Sequence, residues 1–234
     1  KSFDWSSGAE RSGSFGGGFI VNSWNPGQRR AVSDFDMRHS INANYVWELP
    51  LGKGRAIGNN INKVGDAIIG GWQLSGIYRW TSGLPIGVGN GRFWPTNWNI
   101  TGFASRTGQL PTQRTTKNAP AAASGGTPGP NIFASPADAL KSYDYTQVGE
   151  SGERNGLRGD GFFGVDLGLG KTWKMPFEGH TLQFRWEAFN ITNTVRFDVN
   201  SLTLDLGSGR GNFGKYSTAL TNPRVMQFAL RYEF

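Results

Sequence analysis

Only two histidines, His39 and His180, are available as general bases, and neither stands in a pattern that would activate a nucleophile. There is no Gly-x-Ser-x-Gly elbow, no histidine pair at metal-ligand spacing and no phosphate loop. Gly207-Ser208-Gly209-Arg210-Gly211 is glycine-rich, but it does not lead from a strand into a helix, so it lacks the context that makes such a loop a nucleotide site. Asp160, Asp166, Glu187 and Glu233 are not spaced as calcium ligands. With no cysteine, thiolate metal sites and a cysteine nucleophile are excluded. The sequence thus predicts a non-enzyme with no metal and no cofactor.

Binding chemistry is better represented. The segment Arg92-Phe93-Trp94-Pro95-Thr96-Asn97-Trp98-Asn99 sets indole faces beside an amide and a guanidinium, a combination suited to sugars or other ring-bearing ligands. Arg92, Trp94, Asn97 and Trp98 are therefore candidate ligand contacts. The same rings would equally serve to pack the segment or to join an aromatic girdle. A second polar set, Arg79, Arg185, Glu187 and Arg231 with Glu233, falls on the charged side of alternating segments. These residues are predicted to line a water-filled interior and to pair with one another.

The alternation that places them is the strongest signal in the chain. A strand has a side-chain period of two, so one face can be apolar while the other stays polar. From Pro223 to Phe234, Met226, Phe228, Leu230, Tyr232 and Phe234 oppose Val225, Gln227, Ala229, Arg231 and Glu233. From Asp36 to Leu51, His39, Ile41, Ala43, Tyr45, Trp47 and Leu49 oppose Arg38, Ser40, Asn42, Asn44 and Glu48. From Ile68 to Trp80, Trp72, Leu74, Tyr78 and Trp80 oppose Gln73, Ser75 and Arg79, with Gly70 and Gly76 on the apolar side. From Phe163 to Trp173, Val165, Leu167 and Leu169 oppose Asp166, Gly168, Gly170 and Thr172. From Thr181 to Asn190, Leu182, Phe184, Trp186 and Ala188 oppose Gln183, Arg185 and Glu187.

Composition agrees with strands and long connections. The 234 residues include 35 Gly, 11 Pro, 9 Trp and 16 Phe, and no apolar run approaches the ~20 residues of a membrane helix. A membrane-spanning form would have to be a closed barrel. The net charge of +7 is a surplus of arginine scattered along the chain, with dense spots at Gln28-Arg29-Arg30 and around Arg154 and Arg158, which predicts solvated loops near an anionic membrane surface and not nucleic-acid binding.

Connection lengths carry orientation. Trp173 to Thr181 is a short turn through Met175-Pro176-Phe177-Glu178-Gly179, and Leu51 to Asp66 is somewhat longer. Ser82 to Asp160 and Asn193 to Asn222 are far longer. Outer-membrane barrels combine short periplasmic turns with long external loops, so the C-terminus is expected on the periplasmic side. Within the long 82–160 loop, Ala119 to Pro130 is expected to be a flexible spacer.

Several phrases then resemble one family. Asp34-Phe35-Asp36-Met37-Arg38-His39, Tyr45-Val46-Trp47-Glu48-Leu49-Pro50-Leu51-Gly52, Gly71-Trp72-Gln73-Leu74-Ser75-Gly76-Ile77, Arg158-Gly159-Asp160-Gly161-Phe162-Phe163-Gly164-Val165-Asp166-Leu167, Glu187-Ala188-Phe189-Asn190-Ile191-Thr192-Asn193 and Asn222-Pro223-Arg224-Val225-Met226-Gln227-Phe228 follow one another in the order of the last strands of TonB-dependent outer-membrane receptors, specifically the Oar-like subgroup with a carboxypeptidase-regulatory-like domain. The resemblance implies an all-β antiparallel transmembrane barrel of about 22 strands, with a plug inside and nutrient uptake as its work. It also implies that Phe228, Leu230, Tyr232 and Phe234 act as the barrel-assembly signal. The expected organisation is 1–33 as an external loop after a missing strand and 34–234 as C-terminal barrel strands, including loops 82–160 and 193–222. Expected partners are outer-membrane lipid, the rest of the barrel and plug, the barrel-assembly machinery and a transported ligand. The chain begins at Lys1 without Met and is expected to be a piece of a larger protein, not competent to transport alone. The alternatives are a surface or soluble β-sheet module of glycan-binding type and, more remotely, an outer-membrane hydrolase using a serine with His39.

Overall fold

The computed structural model describes residues 2–5, 24–93, 101–109 and 111–234. The chain forms two units, one from Ser40–Trp80, Phe163–Val195 and Thr221–Phe234, the other from Lys1–His39, Thr81–Phe162 and Arg196–Leu220.

The first unit is a five-stranded sheet of β1 (Ser40–Glu48), β2 (Trp72–Thr81), β3 (Phe162–Lys174), β4 (Thr181–Phe189) and β5 (Val225–Glu233). Its spatial order follows the chain, β5-β4-β3-β2-β1, so it is a meander. The pairing makes the predicted two-faced alternation real. Leu169 stands opposite Trp186, and Trp186 opposite Phe228, while on the other face Gly170, Arg185 and Ala229 form the corresponding row. Rings meet edge to face along the apolar side: Trp72 with Phe184 at 5.9 Å and Trp173 at 6.3 Å, and Tyr78 with Phe163 at 5.8 Å. Gly76 lies under the Tyr45 ring, where an added Cβ would sit 2.6 Å from it, so the glycine lets the aromatic lie flat across the strand. The outer strands β1 and β5 are exposed at every residue.

Two local features depart from expectation. The strand expected from Ile68 begins at Trp72, because Lys63–Ile69 forms a helix, α1. Asn62 caps it by accepting the Gly65 N–H at 2.7 Å, and Gly71 at φ 70° ends it in a conformation few other residues adopt. On β3, Lys171 shares the apolar face with Leu169 and Trp173. Its ammonium lies 5.5 Å from the Trp72 ring and 5.2 Å from that of Trp173, a cation–π arrangement that offsets the loss of water.

Strand ends are tied by specific bonds. At the β3–β4 turn the Met175 N–H donates to His180 O at 3.0 Å, and Gly179 takes φ 79°. Beyond β4, Asn190 and Asn193 both adopt positive φ, 49° and 48°. The Asn190 amide donates to Thr194 O and Asn222 O, its carbonyl accepts the Thr194 N–H, and Asn193 accepts the Arg224 N–H. The phrase Asn190-Ile191-Thr192-Asn193 is therefore an amide-bonded turn that fixes the approach to β5.

The second unit corrects the expectation of a flexible spacer within the 82–160 loop. Ile132, Phe133, Leu157, Leu206, Phe213 and Tyr216 are buried in one core, with Phe133 and Phe213 stacked at 5.9 Å. A four-stranded sheet joins Leu202–Thr203, Lys215–Tyr216, Gly129–Phe133 and Gln113–Ala119, and α2 (Pro136–Lys141) contributes Ala139 and Leu140 to the core. In the expected spacer Ala119 and Ala122 are buried, and Gly126 touches the backbone of Gly211 so closely that a Cβ would lie 1.9 Å from its carbonyl oxygen. Small residues there allow two backbones to meet.

The two faces of the sheet predict opposite tolerance of charge in a bilayer. Phe228→Arg should lower the unfolding free energy in lipid vesicles by about 2–4 kcal/mol, whereas Gln227→Arg, beside Glu187, should change it little. Denaturant titration of both variants measures this, and equal losses would place the wrong face against lipid.

Candidate functional site

The polar face of the sheet brings together the predicted charged residues. Arg79 pairs with Asp166 at 3.0 Å, Arg185 with Glu187, and Arg231 with Glu233 at 2.8 Å. Glu187 also accepts from Gln227, and Glu233 from Thr181 at 3.3 Å. Alternation assigns Asp166 to this face, but its second bond, accepting the Asn190 N–H at 2.8 Å, leaves no signal in the sequence. The arrangement is a ladder of solvent-reached ion pairs and amides, able to hydrogen-bond a polar solute or a polar protein surface.

The densest polar site lies in the second unit, and it overturns the expectation that the arginines there are solvated. Arg154, with its side chain only 1% exposed, forms an ion pair with Asp4 at 2.7 Å and donates to Asp34 at 2.9 Å and to the Asp4 carbonyl at 3.2 Å. The Asn155 amide donates to Val32 O at 2.6 Å and to Asp34 at 2.5 Å. Arg158 forks onto the Asp36 carboxylate at 2.5 Å, the Asp36 carbonyl at 2.8 Å and Gly83 O at 3.0 Å. Two of the motif phrases, the one carrying Asp34 and Asp36 and the one opening at Arg158, thus bond to each other. A buried arginine needs its fork satisfied, and paired carboxylates plus carbonyls do this.

Arg29 is buried as well, with its guanidinium 5.4 Å from the Phe103 ring. Burial, then the nearby Arg154 charge, pull its pKa down to about 10, with Asp34 opposing, so it stays protonated at neutral pH. Asp36 is held down to about 2, first by the Arg158 hydrogen bond and then by the Ser2 N–H, which it accepts at 2.9 Å. Beside these groups a cleft of about 670 Å³ is lined by residues that include Phe3, Gln28, Arg30, Arg106, Glu150 and Glu153. Arg106 and Glu153 pair across its wall at 2.7 Å.

The predicted ligand residues are placed only in part. Arg92 lies in the strand Gly89–Phe93, while Trp94, Asn97 and Trp98 lie outside the described residues. His39 meets Ser82 through its backbone N–H, which donates to the serine oxygen at 3.0 Å. His180 Nδ1 is 2.6 Å from the Tyr232 hydroxyl, in a cluster with Phe177 and Phe234. Among the described residues no group of three or more His, Cys, Asp or Glu is arranged to hold a metal ion.

Compared with known proteins, residues 1–227 match the family model described as "Outer membrane beta barrel domain". No curated protein and no solved structure matches the chain.

The Asp36–Arg158 pair makes a pH prediction. Because the folded pKa of Asp36, about 2, lies below its ordinary 3.8, the stabilisation is present above about pH 4 and is lost as pH falls through about 2. Near-UV circular dichroism of the second unit's aromatic core should lose signal across that window, and Asp36→Asn should flatten the dependence while lowering stability at neutral pH. An unchanged acid transition in Asp36→Asn would remove the pair from this role.

Proposed function

Because the chain belongs to the outer membrane beta barrel domain family, we propose that it is the C-terminal part of a TonB-dependent receptor for nutrient uptake. Its sheet supplies wall strands of the barrel, with Met226, Phe228, Leu230 and Tyr232 toward lipid and Arg79, Arg185, Glu187 and Arg231 toward the lumen. The observation that carries this reading is the contrast between connections. The one after β3 is a short turn and the one after β1, 49–71, adds only helix α1 and its flanking turns, whereas 82–161 and 196–220 contribute strands, helix and a buried core to the second unit. Short periplasmic turns and elaborated external loops are the pattern of outer-membrane barrels, and on this reading the β3–β4 turn is assigned to the periplasm.

Strands β1 and β5, exposed along their length, are read as seams that pair with further strands of the same barrel, since the smallest such barrels have about eight. Inside, the ion-pair ladder faces a plug, and the receptor performs no chemistry and needs no cofactor. Ligand capture is assigned to Arg92, Trp94, Asn97 and Trp98. Crosslinking of the full-length protein to the inner-membrane energy-coupling complex tests the class, and its absence from a correctly folded, outer-membrane preparation would count against it.

Two variants separate the parts of this reading. Replacing Trp94 and Trp98 together with Ala should reduce ligand affinity of the full-length receptor about tenfold or more at unchanged surface level. Reduced surface level with unchanged affinity per molecule would assign the rings to packing instead. Phe234→Asp, at the end of the row Phe228, Leu230, Tyr232, should sharply lower the amount inserted by the barrel-assembly machinery. Normal outer-membrane levels of that variant would dismiss the row as a signal.

A further inference from the structure

The short helix α1 is built to end where water is scarce. A helix leaves its last carbonyls without donors of its own, and at an aqueous surface solvent supplies them. Here two indoles from the apolar face of the sheet do so instead: Trp173 Nε1 donates to Ala67 O at 2.6 Å and Trp72 Nε1 to Ile68 O at 2.9 Å, while Asp66 O, already bonded to the Gly70 N–H at 2.9 Å, takes a second bond from Lys171 Nζ at 3.3 Å. That satisfaction from within the protein is what a hydrocarbon boundary demands. Meanwhile the helix turns an apolar stripe outward at i, i+3 and i+4, Val64, Ala67 and Ile68, with Val64 69% and Ile68 64% exposed, and Ile57 in the same connection is 58% exposed. Its acidic residue, Asp66, accepts the Lys53 N–H at 2.6 Å.

We propose that α1 is an interfacial membrane helix, lying in the periplasmic phospholipid leaflet with Val64, Ala67, Ile68 and Ile57 at the acyl boundary. Two observations select lipid as the occupant. The stripe is continuous, through Trp72 and Trp173, with the face that meets the bilayer, and indoles favour the level where hydrocarbon gives way to headgroups. Exposed Lys53, Lys63 and Lys174 lie in the two short connections or at their edge and complement headgroup phosphates. The leaflet assignment rests on the orientation proposed above, whereas the burial of α1 in lipid does not.

The chain contains no cysteine, so with any cysteine elsewhere in the full-length protein replaced by serine, single nitroxide labels are clean reporters. Val64→Cys, Ile68→Cys and Lys63→Cys are introduced into the full-length protein, labelled, and folded into vesicles of phosphatidylethanolamine and phosphatidylglycerol, with heat-modifiable migration confirming the fold. If one stripe variant does not fold, Ile57→Cys replaces it. Labels at Val64 and Ile68 should collide several-fold more with oxygen than with a nickel chelate, and the label at Lys63 should show the reverse. Equal nickel accessibility at all three positions overturns the proposal and leaves the stripe to a soluble partner. In parallel, Phe177→Cys in the β3–β4 turn should react with an impermeant maleimide only after the outer membrane is permeabilised. Reaction in intact cells overturns the leaflet assignment together with the orientation, even where Val64 and Ile68 are lipid-buried.

Discussion

A backbone that crosses hydrocarbon must satisfy its N–H and C=O groups within the protein, and everything else in the sheet follows from the register that does so. Pairing Leu169 with Trp186 and Trp186 with Phe228 stacks the apolar residues of three strands in one row. A slip of one residue would send that row to the polar side and bring Arg185 and Arg231 to the lipid side. The register is therefore held at both ends of β4. At one end the His180 turn closes through Met175, and at the other Asn190 and Asn193 take left-handed backbone and bond across to Asn222 and Arg224. Asparagine suits those positions because its amide repairs the hydrogen bonding that the turn disrupts.

In the second unit, segments far apart in the chain are gathered by buried charge. Arg154 and Asp34 are 120 residues apart, and Arg158 and Asp36 are 122. Closing such long loops costs little more than closing shorter ones, about 0.6 kcal/mol for each doubling. What decides the arrangement is the asymmetry of a buried pair: made, it contributes modestly, but leaving one partner uncompensated costs about 3–5 kcal/mol. Arg154 between two aspartates thus penalises any arrangement in which Asp4 or Asp34 goes elsewhere. The apolar core of Phe133, Phe213, Leu157 and Tyr216 supplies the favourable burial, and the arginines restrict which segments share it.

The long strands are legible because a period of two sustained over nine or more residues fits a two-faced strand and does not fit a helix, and the observed β3 and β4 differ from the expected 163–173 and 181–190 by a residue at their ends. The polar partners Arg79, Arg185, Glu187 and Arg231 follow from the same period. What escapes has a common cause, a stabilising interaction that is not local. The strands of the second unit are two to seven residues long, too short for alternation to register, and the buried alanines of 119–122 look like spacer until Gly211 is placed beside Gly126. Arg154 and Arg158 resemble a solvated cluster in a linear sequence because the carboxylates of Asp34 and Asp36 lie 120 and 122 residues upstream. The start of α1 is visible in principle, since Asn62 stands before Lys63-Val64-Gly65-Asp66 as a capping residue would. Its end depends on Trp72 and Trp173, which alternation assigns to the sheet.

The polar face obeys a different rule from the apolar one. Its pairs are open to solvent, with Arg79 49% and Arg231 71% exposed at the side chain, so each contributes no more than about 1 kcal/mol and is weakened by salt. Cohesion of the sheet must then come from its hydrogen-bonded ladder and from the ring contacts on the other side. Relieved of that burden, the polar face is free to vary in charge without unfolding the strands. The glycines Gly168 and Gly170 stand opposite Glu187 and Arg185, and at Gly168 an added Cβ would meet the Ser75 hydroxyl at 2.7 Å. The sheet thus draws its cohesion from one face and leaves the other to solvent-reached polar pairs.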